Sequence, residues 1–232
     1  MWKPQFVQAI IAADVAVLGI SGVVKHGANP MKQVFGVLFL ASIALSQQPA
    51  PLSGHQQATG WSVDKNHSSV SFSVAHLVFS EVSGRFRDFD INVYGKKEDF
   101  TDATFSAVLK VDSLDTGNSR RDSHLRADDF FNAAKFPEIR FQSTSLEKSP
   151  DNTYKINGNL TIRDSTRSVT FDAVLKGMIK GSQGTTAAWK ATLKINRFDY
   201  NLKWSRSTDS GGLVVGEEVT ITLVVELRRL GA

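Results

Sequence analysis

The sequence predicts an all-β protein, an antiparallel barrel or sandwich of eight strands with one short helical insert. Eight stretches alternate apolar and polar residues with a period of two, which is typical of strands that bury one face. Beyond residue 60 the chain has two prolines, Pro137 and Pro150, and both flank a predicted strand, as the hydrogen bonding of a sheet ladder requires. One charged segment, residues 118–132, breaks the alternation.

The N-terminal residues have the pattern of a leader. Met31 is followed by the basic Lys32, an apolar run over residues 34–44 and small residues up to Ser46, as in a cleaved secretory signal peptide. The apolar run is shorter than the ~20 residues of a membrane span, although a buried helix or an anchor is the alternative. We expect export to the periplasm or the medium and the following organisation: an upstream extension at 1–30, a signal peptide at 31–46, a linker at 47–60 and a β-barrel domain at 61–232.

The composition excludes several classes of function. At 232 residues and 41% hydrophobic content, the chain is long enough for one domain with a sizeable core. It has no cysteine, which excludes disulfides, thiolate nucleophiles and thiolate zinc sites. The net charge is +4, or +2 without residues 1–46, and no basic stripe with interleaved aromatic residues occurs, so nucleic acid is not expected as a partner.

Each predicted strand places its apolar residues on one face. The strand over residues 69–76 does so with Val70, Phe72, Val74 and His76, opposite a row of small residues. Turn-like stretches such as YGKKED and KGSQG join the strands. The predicted strands span residues 69–76, 82–94, 103–111, 138–147, 156–163, 168–177, 189–197 and 218–228.

The segment over residues 118–132 predicts a short helix laid over an opening of the barrel. Asn118 or Ser119 is suited to cap the helix N-terminus, and Asp122 suits its positive end. Phe130 and Phe131 then provide an apolar anchor. We expect Leu125 and one or both phenylalanine rings to insert into the barrel.

The inward-facing rows do not decide whether the barrel is filled by side chains or retains space. They include four small residues, Ala107, Gly158, Ala173 and Ala191, which indicate either retained space or positions that face a large ring. They also end in two polar residues, His76 and Arg197. These either satisfy backbone carbonyls at the rim or bind the polar head of an apolar ligand.

No catalytic or metal-binding motif is present. The chain lacks a G-x-S-x-G elbow, an H-E-x-x-H motif and a phosphate-binding loop. Its histidines lack the close spacing typical of metal sites. Acidic residues near His124, such as Asp122 and Asp128, are expected to be solvated or capping groups. The sequence therefore predicts no enzymatic activity, no metal and no cofactor.

Several blocks of the sequence resemble the YceI-like family. They include SLDTGNSRRDSHLRADDFFNAAKFPEIRFQSTSL, GNLTIRDSTRSVTFDAVL and GEEVTITLVVEL, and the likeness spans about residues 61–230. The resemblance implies an eight-stranded lipocalin-like barrel whose apolar pocket accepts a long prenyl or fatty chain. It also implies that Arg121 and Asp122 tie the helical insert to neighbouring strands. The family usually has glycine where this chain has Val78 and Tyr200, so we expect the loop after Tyr200 to form a different mouth.

The resemblance and the inward rows together predict the ligand-binding residues. These are Val70, Phe72, Val74, His76, Phe86, Phe105, Leu109, Leu125, Phe130, Phe131, Phe141, Leu160, Ile162, Phe171, Trp189, Leu193, Ile195, Arg197, Ile221 and Leu223. The expected function is a carrier that binds an isoprenoid or fatty lipid and makes transient contact with a membrane. A protein of the envelope stress or interaction class without a ligand is the alternative, followed by a lipid-modifying enzyme. The sequence leaves a homodimer open.

Overall fold

The computed structural model describes residues 60–77, 79–182, 184–207 and 213–230. The leader predicted over residues 1–46, with most of the linker after it, lies outside these ranges and stays a prediction. Gly60, predicted as the last linker residue, instead begins the first strand. The described elements are β1 (Gly60–Val63), β2 (Ser69–His76), β3 (Ser80–Phe86), β4 (Phe89–Tyr94), β5 (Thr104–Lys110), β6 (Leu114–Asp115), α1 (Ser119–Arg126), β7 (Glu138–Lys148), β8 (Thr153–Ile162), β9 (Ser165–Gly181), β10 (Gly184–Asn196) and β11 (Val215–Leu230), with 3-10 turns at Lys65–His67, Val111–Ser113 and Arg197–Tyr200.

The strands close into a barrel, which confirms the predicted fold and excludes the sandwich. Antiparallel pairing runs through β1, β4, β5, β7, β8, β9, β10 and β11, and the last strand returns to β1 at the Val63–Leu227 pair. The first half of β11 pairs with β2 instead, and β2 pairs with β3. The barrel wall thus has eight strand positions, which we call staves. Each of the first three staves is built from two short strands, namely β1 with β2, β3 with β4, and β5 with β6, and β7 to β11 form one stave each. A closed barrel of eight staves has no exposed sheet edge around its ring.

The second stave corrects one sequence prediction. Residues 82–94 were expected to form one strand, but β3 ends at Phe86 and β4 begins at Phe89. At the break, the Arg87 amide donates to the Ser113 carbonyl at 3.1 Å, and the Asp88 carbonyl accepts from the Lys110 amide at 3.0 Å. These bonds go to the neighbouring third stave, which turns at the same level. Both staves therefore bend together.

Asp115 fastens this bend to the end of β6. Its carboxylate accepts from the Gly117 amide at 3.0 Å and from the Arg87 guanidinium at 2.7 Å. These hydrogen bonds, with a further one from Arg85, hold the pKa of Asp115 at about 2, well below its usual 3.8.

One end of the barrel is filled by aromatic side chains. The Phe100 ring lies 4.8 Å from that of Trp61 and 5.0 Å from that of Trp189, measured between centroids. The Tyr154 ring also contacts that of Trp189, at 4.8 Å between centroids, and the Tyr154 hydroxyl donates to the Asp99 carbonyl at 3.0 Å. Rings at these distances pack edge to face or tilted, as aromatic pairs prefer. This end is therefore closed, and we call it the floor.

The opposite end carries the helix and the longest connection. The turns after β2 and β8, the segment from β6 to β7 that contains α1, and the described parts of the connection after β10, residues 197–207 and 213–214, lie there. No helix within the described ranges is long and apolar enough to cross a membrane. We call this end the mouth.

Candidate ligand-binding cavity

The barrel encloses an apolar cavity of about 350 Å³ between the floor and the mouth. Trp189 borders it near the floor and Arg197 near the mouth, eight residues apart along the chain. At about 3.3 Å per residue and a strand tilt of about 40°, that separation is about 20 Å along the barrel axis. The lining therefore extends over about 20 Å from the floor to the mouth.

Nineteen of the twenty predicted ligand-binding residues border this cavity. The exception is Leu193, which is 8% exposed and packs within the surrounding core instead. The period of two in the strands is the reason for the agreement, since it places alternate side chains inside. The position of these residues is established, and their contact with a ligand stays a prediction.

Some of the small inward residues face a large ring and others border retained space, so both interpretations of the sequence apply. A Cβ atom added at Gly158 would lie 2.5 Å from Cζ of Phe141, so the aromatic ring fills the space above the glycine. Ala173 is buried without bordering the cavity. Ala107 and Ala191 do border it. The barrel is thus packed against a ring at Gly158 and open beside these two alanines.

The helical insert is fixed at its N-terminal end. The Asn118 side chain caps α1 by accepting from the Arg121 amide at 3.0 Å, which confirms one of the two predicted caps. The Asp122 carboxylate accepts from the amide and the hydroxyl of Thr116, at 2.9 and 2.6 Å. Arg121 donates to the hydroxyl and the carbonyl of the same threonine, at 2.8 and 2.9 Å. Since Thr116 directly follows β6, these bonds hold the helix to the third stave.

An aromatic cluster joins the insert to the segment after β10. The rings of Phe130 and Trp204 stack with centroids 5.5 Å apart. The His124 ring packs edge-on against both, at 5.0 and 5.4 Å, and its Nε2 lies 2.7 Å from Oδ2 of Asp129. Arg163, in the turn after β8, donates to the carbonyls of Phe130 and Asn201. The insert and residues 201–204 therefore cover the mouth as one connected surface.

Arg197 is 2% exposed, and it borders the cavity. It lies in a 3-10 turn, whereas the sequence predicted it at the end of a strand. Its guanidinium donates to four backbone carbonyls, those of Leu202, Trp204, Gly216 and Val215, at 2.6 to 3.2 Å. Burial lowers the pKa of Arg197, and the charge of Glu217 opposes this shift. The four bonds support the structural interpretation of this residue, but they use four of the five N–H donors of the guanidinium.

The polar side chains that border the cavity are mostly basic. His76, Arg121, His124 and Arg197 border it near the mouth, while Ser71 and Ser106 are the hydroxyl groups of the lining. The described lining includes no carboxylate. A hydrogen-bond acceptor or an anion would therefore find donors at the mouth, and a cationic group would find no counter-charge in the lining.

Tyr200, one of the two departures from the family pattern, is buried behind this surface. It is 1% exposed, and among the described residues its hydroxyl has no hydrogen-bond partner. Burial raises the pKa of Tyr200 to about 12. The ring therefore packs the base of the connection after β10, whereas Val78 lies outside the described residues.

Several cavity residues were missed by the sequence reasoning. Leu202, Trp204 and Val214 border the cavity from a connection that shows no periodicity, and Val215 borders it from the first position of β11. Arg121 and His124 were assigned to the insert but not to the ligand site. Others lie on rows where the period of two applies and could have been included: Ile91, Val93, Ile156, Val219, Val225 and Leu227.

Away from the cavity, the structure brings together three side chains of the kinds that bind metals. The ligand atoms of Asp64, His67 and Glu226 lie within 4.8 Å of one another. The Asp64 carboxylate already contacts Nδ1 of His67 at 3.2 Å and Nε of Arg228 at 3.6 Å. These contacts, led by the hydrogen bond from His67, lower the pKa of Asp64. A neighbouring guanidinium opposes binding of a cation, so we interpret the group as an ion-pair network that caps the turn after β1.

Comparison with known proteins identifies the family. The model of the YceI-like domain matches residues 61–227. A UPF0312 protein of Staphylococcus aureus is 35% identical over 165 residues, which cover 69% of this chain and 92% of that protein. Among solved structures, the Campylobacter jejuni YceI protein superposes with a TM-score of 0.58 at 27% identity, over 68% of this chain and 90% of that one.

Two more distant structures share the fold. BcnA of Burkholderia cenocepacia has a TM-score of 0.61 at 23% identity, covering 71% of this chain and 98% of its own. A polyisoprenoid binding domain from Saccharophagus degradans has a TM-score of 0.54 at 14% identity, covering 73% and 98%. The resemblance predicted from the sequence is thus confirmed by the family model, by curated relatives and by solved structures. The chain belongs to the YceI-like family.

Proposed function

We propose that this protein binds a long isoprenoid or fatty-chain lipid inside the barrel and acts as its carrier in the periplasm or the extracellular medium. The observation that carries the proposal is the cavity, whose lining extends over about 20 Å and is apolar apart from two serines, the tryptophan indoles and four basic side chains, and these four lie near the mouth. One leaflet of a bilayer has a hydrocarbon depth of about 15 Å, half of the ~30 Å core. A tail of leaflet length therefore matches the cavity, with its head at the mouth.

The free energy of burying an apolar chain favours a carrier that exchanges lipid with a membrane over a protein that extracts lipid by affinity alone. At about 0.8 kcal/mol per CH₂ group, moving a tail of leaflet length from water into an apolar site yields on the order of 10 kcal/mol. A lipid in a membrane has already gained nearly all of this. Selectivity must then come from the shape of the cavity and from contacts with the head group.

The basic lining near the mouth supports a head group that accepts hydrogen bonds, such as a quinone carbonyl, a phenol or an anion. Arg197 retains one N–H donor beyond its four carbonyl bonds. His76, on the facing β2, provides a second polar group. The fold shared with a domain named for polyisoprenoid binding supports the tail, and these donors support the head.

The two alternative functions require other structures. A protein that works without a ligand would have a filled barrel and a large exposed apolar patch, and the cavity argues against the first of these features. An enzyme would use the pair formed by His124 and Asp129, which lies beside the mouth. The family relationship favours a binding protein.

Native mass spectrometry of protein purified without detergent, followed by organic extraction, tests the proposal. The wild-type protein should retain a discrete mass that extracts as a prenyl or fatty lipid. Ala191→Trp should abolish retention because the indole would occupy the cavity, whereas Lys190→Trp, on the outer face of the same strand, should leave it intact. Small-to-large replacements cost about 1–3 kcal/mol, so the unfolding free energy of Ala191→Trp should fall by no more than this if the indole enters existing space.

Two results would contradict the proposal. A lipid-free wild-type protein that also refuses added prenyl lipids would show that the cavity is not a lipid site. A lipid that is chemically altered only in the presence of the intact protein would favour the enzyme.

A further inference from the structure

The hairpin between β2 and β3 ends in an apolar tip. His76 and Ser80 are the last paired residues, so the turn consists of Leu77, Val78 and Phe79. Phe79 is 93% exposed and Leu77 is 36% exposed, while Val78 contributes only its identity because it lies outside the described residues. Leu77 and Phe79 thus place two exposed apolar side chains together at one tip, and an exposed apolar patch marks a candidate contact surface.

The residues of this turn are poorly suited to the backbone conformation of a short hairpin. Three-residue hairpin turns favour glycine, asparagine or aspartate, because these residues adopt positive φ angles at low cost. Leu77 has a φ of +53°, in the left-handed region. For an ordinary L-residue that conformation costs roughly 1–2 kcal/mol. Neither packing nor backbone geometry explains Leu77 and Phe79 here, which points to a role outside the fold.

The tip stands beside the mouth of the cavity. The Leu77 amide donates to the Val214 carbonyl at 3.0 Å, and both Val214 and His76 border the cavity. Phe79 does not border it. Whatever surface accepts the tip therefore lies directly at the entrance used by a ligand.

The size and charge of the tip favour a lipid surface over a protein. A phenylalanine buries about 150–250 Å², and a stable interface between proteins needs about 1,000 Å². The exposed charges next to the tip, Glu81, Arg206 and Glu217, include both signs. A bilayer needs no complementary partner surface, and one or two inserted side chains give the weak, reversible attachment that suits a carrier.

We infer that the β2–β3 tip inserts Phe79, with Leu77 beside it, into the surface of a lipid bilayer and so brings the cavity mouth to the membrane. The inference rests on the proposed function, because it assigns the membrane contact of the carrier to this hairpin. It concerns a surface that is separate from the cavity lining, so each is tested independently.

The absence of cysteine allows a single labelled position. Phe79→Cys carries an environment-sensitive fluorophore and is mixed with neutral phosphatidylcholine vesicles. Ile179→Cys with the same fluorophore is the matched control, because Ile179 is also an exposed apolar residue, 75% exposed, on β9 beyond Gly177 and far from the mouth. The emission at position 79 should rise severalfold, shift to the blue and be quenched by lipids with brominated acyl chains, and position 179 should not respond.

A second pair of variants measures the consequence. Phe79→Asp should lower partitioning into vesicles, and the rate of lipid transfer between vesicles, about tenfold or more, as expected for losing a buried phenylalanine. Ile179→Asp should change neither. Every variant keeps the same N-terminal residues, so the difference reports on the tip.

Three outcomes would overturn the inference: equal responses at positions 79 and 179, a response at position 79 that depends on protein concentration without vesicles, or an unchanged transfer rate in Phe79→Asp. The lipid content of the purified protein decides the proposed function separately. A loaded cavity with a silent probe at position 79 would refute the hairpin contact alone, and an empty cavity with a responding probe would confirm the contact while removing the carrier function.

Discussion

Arg197 gives the most direct test of how the mouth is held together. Replacing it with methionine keeps most of the side-chain volume and removes the four hydrogen bonds to the carbonyls of residues 202, 204, 215 and 216. Two of those carbonyls belong to the segment that covers the mouth, and two belong to the start of β11. The guanidinium therefore joins the cover to the barrel wall.

The expected loss of stability follows from these bonds. A hydrogen bond to a charged group contributes about 1.5–3 kcal/mol, so the gross loss is roughly 6–12 kcal/mol. Two effects offset it, because the desolvation penalty of the buried guanidinium, several kcal/mol, disappears and water reaches some of the carbonyls. We expect Arg197→Met to lower the unfolding free energy by about 3–5 kcal/mol, out of a total of about 5–15 kcal/mol.

Urea unfolding followed by tryptophan fluorescence measures this loss. With a slope of about 2 kcal/mol per molar urea, the midpoint should fall by about 1.5–2.5 M. Arg197→Lys keeps the charge but has three donors on one nitrogen, so its midpoint should lie between those of methionine and wild type. A midpoint within about 0.5 M of wild type for the methionine variant would refute the reasoning.

The remaining predictions concern the floor, the bend and the packed side of the barrel. Tyr154→Phe should lower the unfolding free energy by about 1 kcal/mol in urea unfolding, because it removes the hydrogen bond at the floor. Tyr200→Phe should be neutral or stabilising, because the Tyr200 hydroxyl has no partner among the described residues. Equal losses in the two variants would contradict this. Because the pKa of Asp115 is lowered from 3.8 to about 2, its contribution is present above pH 3.8 and lost as the pH falls through 2, so thermal melting should place Asp115→Asn below wild type at pH 7, with a gap that closes towards pH 2. A gap that is independent of pH would argue against the ionised carboxylate. Gly158→Ala should destabilise the protein by about 1–3 kcal/mol in the same urea assay, because the new methyl group would lie 2.5 Å from both the Phe141 ring and the Gln142 carbonyl oxygen. A neutral result would show that the ring and the neighbouring strand backbone both move freely.

The alternation of the strands made most of the lining predictable. Val70, Phe72 and Val74 recur every second residue, and a one-residue shift would expose the whole row to water. The register was therefore specified by burial, before any pairing partner was known. The same reasoning located the break in the pattern at residues 118–132, where the structure has α1.

Tertiary structure alone decided the mouth. Trp204 and Val214 enter the cavity wall through hydrogen bonds and ring contacts with residues far away in the sequence, so no local period marks them. The role of Arg197 was also undecided by the sequence, because the same alternation places a rim arginine and a ligand-binding arginine at one position. The four carbonyls that surround it resolve its structural role.

Whether the barrel is filled or encloses a cavity could also be decided only from the three-dimensional structure, for a similar reason. A small inward residue leaves space only if no ring from the neighbouring stave covers it, and side-chain packing across strands is not encoded in either strand by itself. Phe141 covers Gly158, while Ala107 and Ala191 stay open to the cavity. The sequence by itself determined which side chains face inward, through burial with a period of two, and only the pairing of the staves decided which of them enclose a cavity.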